Sequence, residues 1–322
     1  MTSKRTFILS REAERLGSDR ELRRKCAAGL LSRVAPGVYM EKTEWASLDP
    51  DERYRARVQA ASLRSRPGAQ FSHDSAAAMF RLPSLGPWPA SVHELVPLSD
   101  GGTSRRGIRR HGLGVDPAPT AIDGVTVTSL RRTLVDIACA VPLVRAVAML
   151  DEALRPARKG EPRWELGLPL VTKAQLLATM SDLAPYRGLV AAHRAVEFAD
   201  GASGSPAESL CRVQFHALGL PAPELQREFF DEQGSIGFAD FYWRELDLVV
   251  EIDGRSKYGA DRYFQRGVSL DELVWLEKQR EDRMRRVVTG FDRLDWEAVN
   301  DRRGLATRMA RHGLIPTRAV SG

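Results

Sequence analysis

Apolar positions recur along this chain at two periods, and the switches between them mark its elements. Near the N-terminus two short helical patterns, REAERLG and RELRRKCAAG, each follow a residue able to cap them, Ser10 for the first and Ser18 or Asp19 for the second. Gly29 can close the second helix, which sets Leu22, Cys26 and Leu30 on one face and Arg20, Arg23, Arg24 and Lys25 elsewhere. Two β-prone runs follow, Leu30–Val34 and Val38–Met40, joined by Pro36 and Gly37. The helical period returns in HDSAAAMF after Ser72, and in SLRRTLVDIACAV, where Thr128 or Ser129 is the cap and Leu130, Leu134, Ile137 and Val141 form a stripe. His73 and Asp74 invite a catalytic reading, but a cap at Ser72 with an acid in the first turn accounts for both. A linker of small residues, DGASGSPAE, then leads into a helix from Pro206, with Ser205 as N-cap and Glu208 at its third position, a capping-box arrangement. Beyond it the period shortens to two: the runs Ile236–Trp243 and Leu246–Asp253 flank the polar Arg244–Glu245 and predict an antiparallel hairpin.

The opening order of helix, turn, basic helix and hairpin describes a winged helix-turn-helix, in which the second helix enters the major groove and the wing touches the backbone. On that reading Arg20, Arg23, Arg24 and Lys25 of the helix and Arg33 of the wing face double-stranded DNA. Charge along the chain agrees. Residues 1–70 hold 15 Lys and Arg against 9 Asp and Glu, whereas residues 203–300 hold 13 against 19, although the whole chain is +6. A basic N-terminal module fits a polyanion partner, and the acidic module needs another use for its carboxylates. Arg105, Arg106, Arg109 and Arg110 with His111, beside a Gly-rich loop, suit either phosphate contact or an exposed edge.

At 322 residues two or three domains are expected. Punctuation places them at 1–50, a mixed α/β middle segment at 51–202, an α/β segment at 203–300 and a basic tail at 301–322 that is expected to fray. The expected fold class is therefore α+β with an α/β C-terminal domain. Cys26, Cys139 and Cys211 are odd in number and far apart, so they suit buried hydrophobes in a reducing compartment better than disulfides or zinc. No apolar run approaches the ~18 residues of a membrane span, and a cytoplasmic protein is expected.

The acidic segment carries the candidate chemistry. Alternation turns Leu248, Val250 and Ile252 to one side and Val249, Glu251 and Asp253 to the other. With a loop of two or four residues, Asp240 falls opposite Glu251 or diagonal to it, about 4.5–8 Å away. Glu251 and Asp253 end an otherwise apolar run, LDLVVEID, and acids at the end of a buried strand need partners. Like charges so gathered repel unless a cation joins them. Carboxylate oxygens on Asp240, Glu251 and Asp253 are what Mg²⁺ or Mn²⁺ prefers, and such an ion activates water for phosphodiester hydrolysis.

Two resemblances extend this reading. AAGLLSRVAPGVYM, FSHDSAAAMFRLP and IDGVTVTSLRRTLVDIACAV, over roughly residues 5–155, resemble the N-terminal region of AbiEi-type antitoxins. That resemblance implies sequence-specific DNA binding, commonly at the protein's own promoter. Residues 203–300, including the closing GFDRLDWEAV with Trp296, resemble the PD-(D/E)XK nuclease superfamily and its Vsr-like branch. By position Glu208 is then the helix acid, Asp240 the metal-binding Asp and Glu251 the second acid. The superfamily pattern expects Lys two residues after the second acid, where this chain has Asp253. Lys257 or Lys278 would have to supply it, and Lys278 also sits four residues before Asp282, the spacing of an ordinary helical ion pair. Two functions follow as expectations: a targeted, Mg²⁺- or Mn²⁺-dependent DNA endonuclease, or a regulator or antitoxin whose nuclease-like domain serves homodimerisation or contact with a cognate toxin.

Overall fold

The structure is a computed structural model that describes residues 5–317 except 101, 103, 105, 106, 162, 169 and 254–269. It mixes helices with three separate sheets and divides into two compact units, Met1–Pro142 with Ala157–Glu197, and Leu143–Pro156 with Phe198–Gly322. The middle segment expected at 51–202 is thus shared between them.

In the first unit β1 (Ile8–Leu9) precedes α1 (Ser10–Arg15) and α2 (Asp19–Ala27). The hairpin β2 (Leu31–Ala35) and β3 (Val38–Glu41) is antiparallel, with β1 added beside β3, and Gly37 takes the left-handed φ of +70° that its turn requires. Ser10 and Ser18 do not cap through their side chains; their hydroxyls donate to the carbonyls of Gly37 and Ala13. Leu22 and Cys26 are half-buried, but Leu30 is 53% exposed, so the apolar face of α2 stops short of it.

The short helix α3 (Lys42–Ser47) leads into α4 (Pro50–Ser62). Pro50, where punctuation suggested a boundary, is the first residue of that helix. Asp49 accepts from the Glu52 amide at 2.7 Å and Glu52 accepts from the Asp49 amide at 3.1 Å, a complete capping box. Ala56 and Ala60 of α4 bury Val34, Val38 and Met40 of the hairpin, so the hairpin shares its core with the residues that follow.

A second sheet runs in the order β6-β5-β4-β8-β7, built from β4 (Gln70–Phe71), β5 (Val92–Val96), β6 (Ile108–Gly112), β7 (Thr120–Ile122) and β8 (Val125–Val127). β5 and β6 pair in parallel, and β5 is buried throughout. Against this sheet lies α5 (His73–Met79), entirely buried, and α6 (Leu130–Ala140), capped by the Ser129 hydroxyl, packs on α5. After α7 (Leu143–Leu154), which belongs to the second unit, α8 (Lys173–Leu183) and α9 (Leu189–Phe198) carry the chain to the boundary.

The second unit continues with α10 (Pro206–Ala217), the strands β9 (Glu224–Asp231), β10 (Gly234–Trp243) and β11 (Leu248–Ile252), the helix α11 (Leu270–Val287) and β12 (Gly290–Leu294). The three first strands form an antiparallel meander and β12 joins β11 in parallel, in the order β12-β11-β10-β9. Trp243 pairs with Leu248, which makes the hairpin loop four residues long. Phe215 of α10 packs edge-on to Phe241 and Trp243, whereas Met284 of α11 joins Ile236, Ala239, Tyr242 and Val249. The chain then forms α12 (Trp296–Asn300) and α13 (Arg302–Arg311). Leu305, Met309 and Leu314 are buried and Arg308 grips Asp292 at 2.6 and 2.8 Å, so the described part of the tail is packed rather than frayed. The spacing of Leu305 and Met309, one helical turn apart, is the reason. Among the described residues no helix is long and apolar enough to cross a membrane.

Candidate functional site

The basic positions of the N-terminal module stand in solvent. Arg20, Arg23, Arg24 and Arg33 are exposed and Lys25 is half-buried, while α2 buries none of its own residues. Arg23 pairs with Asp19 at 3.1 Å, and Lys25 lies 3.6 Å from Glu21 and 3.8 Å from Glu41. These pairs spend part of the helix's positive charge on local partners. Arg20 and Arg24 keep theirs, having no ion pair among the described residues. Arg105 and Arg106 lie outside the described residues, and Arg110 is bound to buried Glu94 at 2.9 Å, so it is not a free phosphate donor.

The acidic site begins at the start of α10. The Ser205 hydroxyl accepts from the Glu208 amide at 3.2 Å, as the capping signature predicts. The Glu208 carboxylate, however, reaches one residue further back than a capping box, accepting the Gly204 amide at 2.7 Å. Its Oε2 also accepts from Gln226 Nε2 at 3.0 Å, and the same Gln226 nitrogen donates to Asp240 Oδ1 at 3.1 Å. One amide group thus ties two carboxylates, buried Glu208 and half-buried Asp240. Gln226 is held with φ at +49°, a left-handed backbone that a non-glycine residue adopts only where its surroundings enforce it.

Asp240 Oδ2 accepts the Ile252 amide at 2.9 Å. The pairing of Phe241 with Val250 places Asp240 beside Glu251 in the ladder. Burial, then the neighbouring charge of Glu208, push the Asp240 carboxyl up to about 7, with Glu251 adding to them and the Ile252 amide and Gln226 opposing. Burial likewise raises Glu208 against its hydrogen bonds. Two acids are therefore brought together with more negative charge than their donors balance.

Glu251 takes a different set of partners. Arg280 Nη2 donates to both of its oxygens at 2.8 and 2.7 Å, and Arg293, its neighbour across β11 and β12, donates at 3.0 Å. Glu277 completes the cluster, accepting from both arginines. The spacing Glu277, Arg280, Glu281, Met284 is one face of α11, and the buried Met284 turns that face to the sheet. Lys278 falls off this face and is exposed; the cation that meets Glu251 is Arg280 instead. Asp253 is exposed beyond the end of β11, and Lys257 lies outside the described residues. Of the six predicted catalytic positions, Glu208 and Asp240 are tied together, Glu251 adjoins them under arginine control, and Asp253 and Lys278 stand in solvent. Alternation missed the arginines because they arrive from α11 and β12, distant in sequence.

A second cluster, in the first unit, escaped the sequence reading. His73, His93 and His111 bring ligand nitrogens within 4.8 Å of one another, which among the described residues no set of three carboxylates does. The rings of His73 and His111 stack with centroids 3.8 Å apart, and His93 stands 5.0 Å from His111. His73 and His93 are 4% and 6% exposed. Burial, followed by the neighbouring histidines, holds His73 well below the usual imidazole range, and burial with His93 pushes His111 down to about 4. Ser72 does stand at the N-cap of α5, but its hydroxyl meets His73 Nδ1 at 2.9 Å rather than a helix amide. The three histidines come from a helix start and two strands, with no shared spacing for a motif to register.

No protein-family profile matches the chain. Two uncharacterised Mycobacterium tuberculosis proteins, Rv2248 of strain H37Rv and MT2308 of strain CDC 1551 / Oshkosh, are each 29% identical to it over 158 residues. The matched stretch is 48% of this chain and 54% of theirs, so the chain spans about half the length of the curated relatives it matches.

Proposed function

We propose that this chain binds double-stranded DNA through its N-terminal helix and hairpin, and that its C-terminal unit holds Mg²⁺ or Mn²⁺ for phosphodiester hydrolysis. The observation that carries the second half is the pair Glu208 and Asp240, one buried and one half-buried, with one amide group between them and Asp240 raised to about 7. A hard dication fits such a donor set, since it cancels the repulsion that burial creates. Glu208 and Asp240 would hold it, with Glu251 next to them once an arginine lets go. When bound, the ion supplies an activated water and charge stabilisation at phosphorus. The order of elements, a helix bearing Glu208, a meander bearing Asp240 and Glu251, then a crossover helix and a parallel strand, supports the nuclease-like reading.

Supercoiled plasmid incubated with either ion tests it: the wild type is expected to nick, and Asp240→Asn to lose at least a hundredfold in rate while binding DNA as before. A wild type that nicks no form of DNA with either ion sinks the nuclease half. One observation favours the second reading, a regulator that binds without cutting: Glu251 is already neutralised by Arg280 and Arg293, and Asp253 stands where a lysine is expected.

The DNA-binding half has its own test. Removing Arg20 and Arg24 together is expected to weaken binding on all sequences and to lower the slope of log affinity against log salt by about 2, near 0.9 for each lost phosphate contact. Fluorescence anisotropy across a salt series reads both. An unchanged slope means that these arginines do not meet phosphates.

A further inference from the structure

We propose that His73, His93 and His111 bind a transition-metal dication of the zinc class. The topology delivers the three rings to one place. His93 and His111 lie on parallel strands, His111 paired with Leu95, so the two side chains share a sheet face one step apart. The Ser72 amide donates to the His93 carbonyl at 3.0 Å, which sets His73 beside His93. His73 itself has φ of +50°, a left-handed backbone of the kind concentrated at ligand clamps.

Two buried atoms in this cluster lack a hydrogen-bond partner among the described residues, His111 Nε2 and Asp136 Oδ2. Buried polar atoms are nearly always satisfied, and one ion explains both. It would take the His111 nitrogen as ligand. A metal-bound His73 would direct its Nδ1–H to the Ser72 hydroxyl at 2.9 Å or to Asp136 Oδ2 at 4.0 Å. Asp74 Oδ2 stands 3.9 Å from His93 Nδ1 in the same relation. Carboxylates behind imidazoles orient the rings of metal sites and raise their basicity.

The surrounding charge is compatible. Asp74 and Asp136 face the cluster, Arg132 is already paired with Asp136 at 2.9 Å, and among the described residues Arg109 is the nearby cation left to oppose the ion. Imidazole nitrogens select zinc-class ions over Mg²⁺. Bonds of about 2.0–2.1 Å in a tetrahedral site need nitrogens roughly 3.4 Å apart, so on binding the rings draw in by about 1 Å and the stacked His73 and His111 rings turn out of parallel, so that both in-plane lone pairs meet the ion. With three histidines as ligands, one coordination position remains for water or Asp74.

Full-length protein made without a histidine tag, stripped with EDTA and titrated with Zn²⁺ and Co²⁺, tests the assignment. One ion per chain is expected at this site, with a visible absorption band for Co²⁺ and a rise in melting temperature on loading. His111→Gln should bind at least tenfold more weakly while its metal-free melting curve matches the wild type. His193→Gln, at an exposed histidine elsewhere, and Asp240→Asn, in the carboxylate site, should leave the Co²⁺ band intact. Should His111→Gln fail to fold, His93→Gln and the wild-type Co²⁺ spectrum take its place. A wild type without micromolar Zn²⁺ affinity, or histidine variants with undiminished affinity, overturns the proposal.

Discussion

Replacing Arg212 by Ala is expected to destabilise the second unit by about 3–5 kcal/mol, the cost of leaving a buried charge without its partner. Asp151 on α7 is 1% exposed and gathers three donors. Arg212 Nη1 lies at 2.7 Å, the Ser209 hydroxyl at 2.7 Å and the Asp200 amide at 2.7 Å, while the second Arg212 nitrogen donates to the Phe198 carbonyl. Burial raises the Asp151 carboxyl, and Arg212 is the largest influence against that. Without the guanidinium the carboxylate keeps two neutral donors in a desolvated place, and its proton affinity rises further.

The sign of the pH dependence follows. A carboxyl raised in the folded state costs stability as pH rises through its folded value, so the deficit of Arg212→Ala should shrink in acid and widen towards neutrality. The melting point should drop by about 10 °C at pH 7. Differential scanning calorimetry at pH 5 and 7 reads both effects. A variant within about 1 kcal/mol of wild type would mean that Asp151 is solvated after all. Exchanging the pair for Leu at 151 and Met at 212 should recover most of the loss, because well-packed apolar residues often replace a buried ion pair without penalty.

The second large effect belongs to Asp240. With its carboxyl at about 7 in the folded state and an ordinary 3.8 when unfolded, the folded chain holds that proton more tightly. The corresponding stability is complete below about pH 4 and is lost as pH rises through 7, an effect on the order of 4 kcal/mol. Asp240→Asn keeps the shape and removes the charge, so its stability should exceed that of wild type at pH 8 and converge on it in acid. Urea unfolding at pH 5 and 8 measures the difference, in which other titrating groups cancel. Mg²⁺ or Mn²⁺ should raise wild-type stability at pH 8 and leave Asp240→Asn unaffected. Parallel pH profiles for the two proteins would refute the repulsion between Glu208 and Asp240 on which the proposed ion site rests.

Local signals read well where neighbours in sequence do the work. The hairpin around Pro36 and Gly37, the Ser205 cap before Glu208 and the hairpin after Trp243 follow from turn chemistry and period two, although the choice between a loop of two and one of four residues was settled only by the pairing of Trp243 with Leu248. The same signals misled at Pro50, because a proline after a capping Asp begins a helix as readily as it ends a domain. They also misled in the tail, where a basic composition concealed the buried pair Leu305 and Met309.

What the sequence by itself determined is therefore the inventory and its local order: a basic helix before a hairpin, and a helix glutamate ahead of a second hairpin with two acids. Tertiary structure alone decided how those charges are used. Arg280 and Arg293 reach Glu251 from 29 and 42 residues away, so no periodicity within the hairpin could anticipate that this acid is neutralised while Asp240 is not. The three histidines likewise meet only because β4, β5 and β6 pair. Coulombic and desolvation energies depend on distance and burial in space, whereas a sequence motif records distance along the chain.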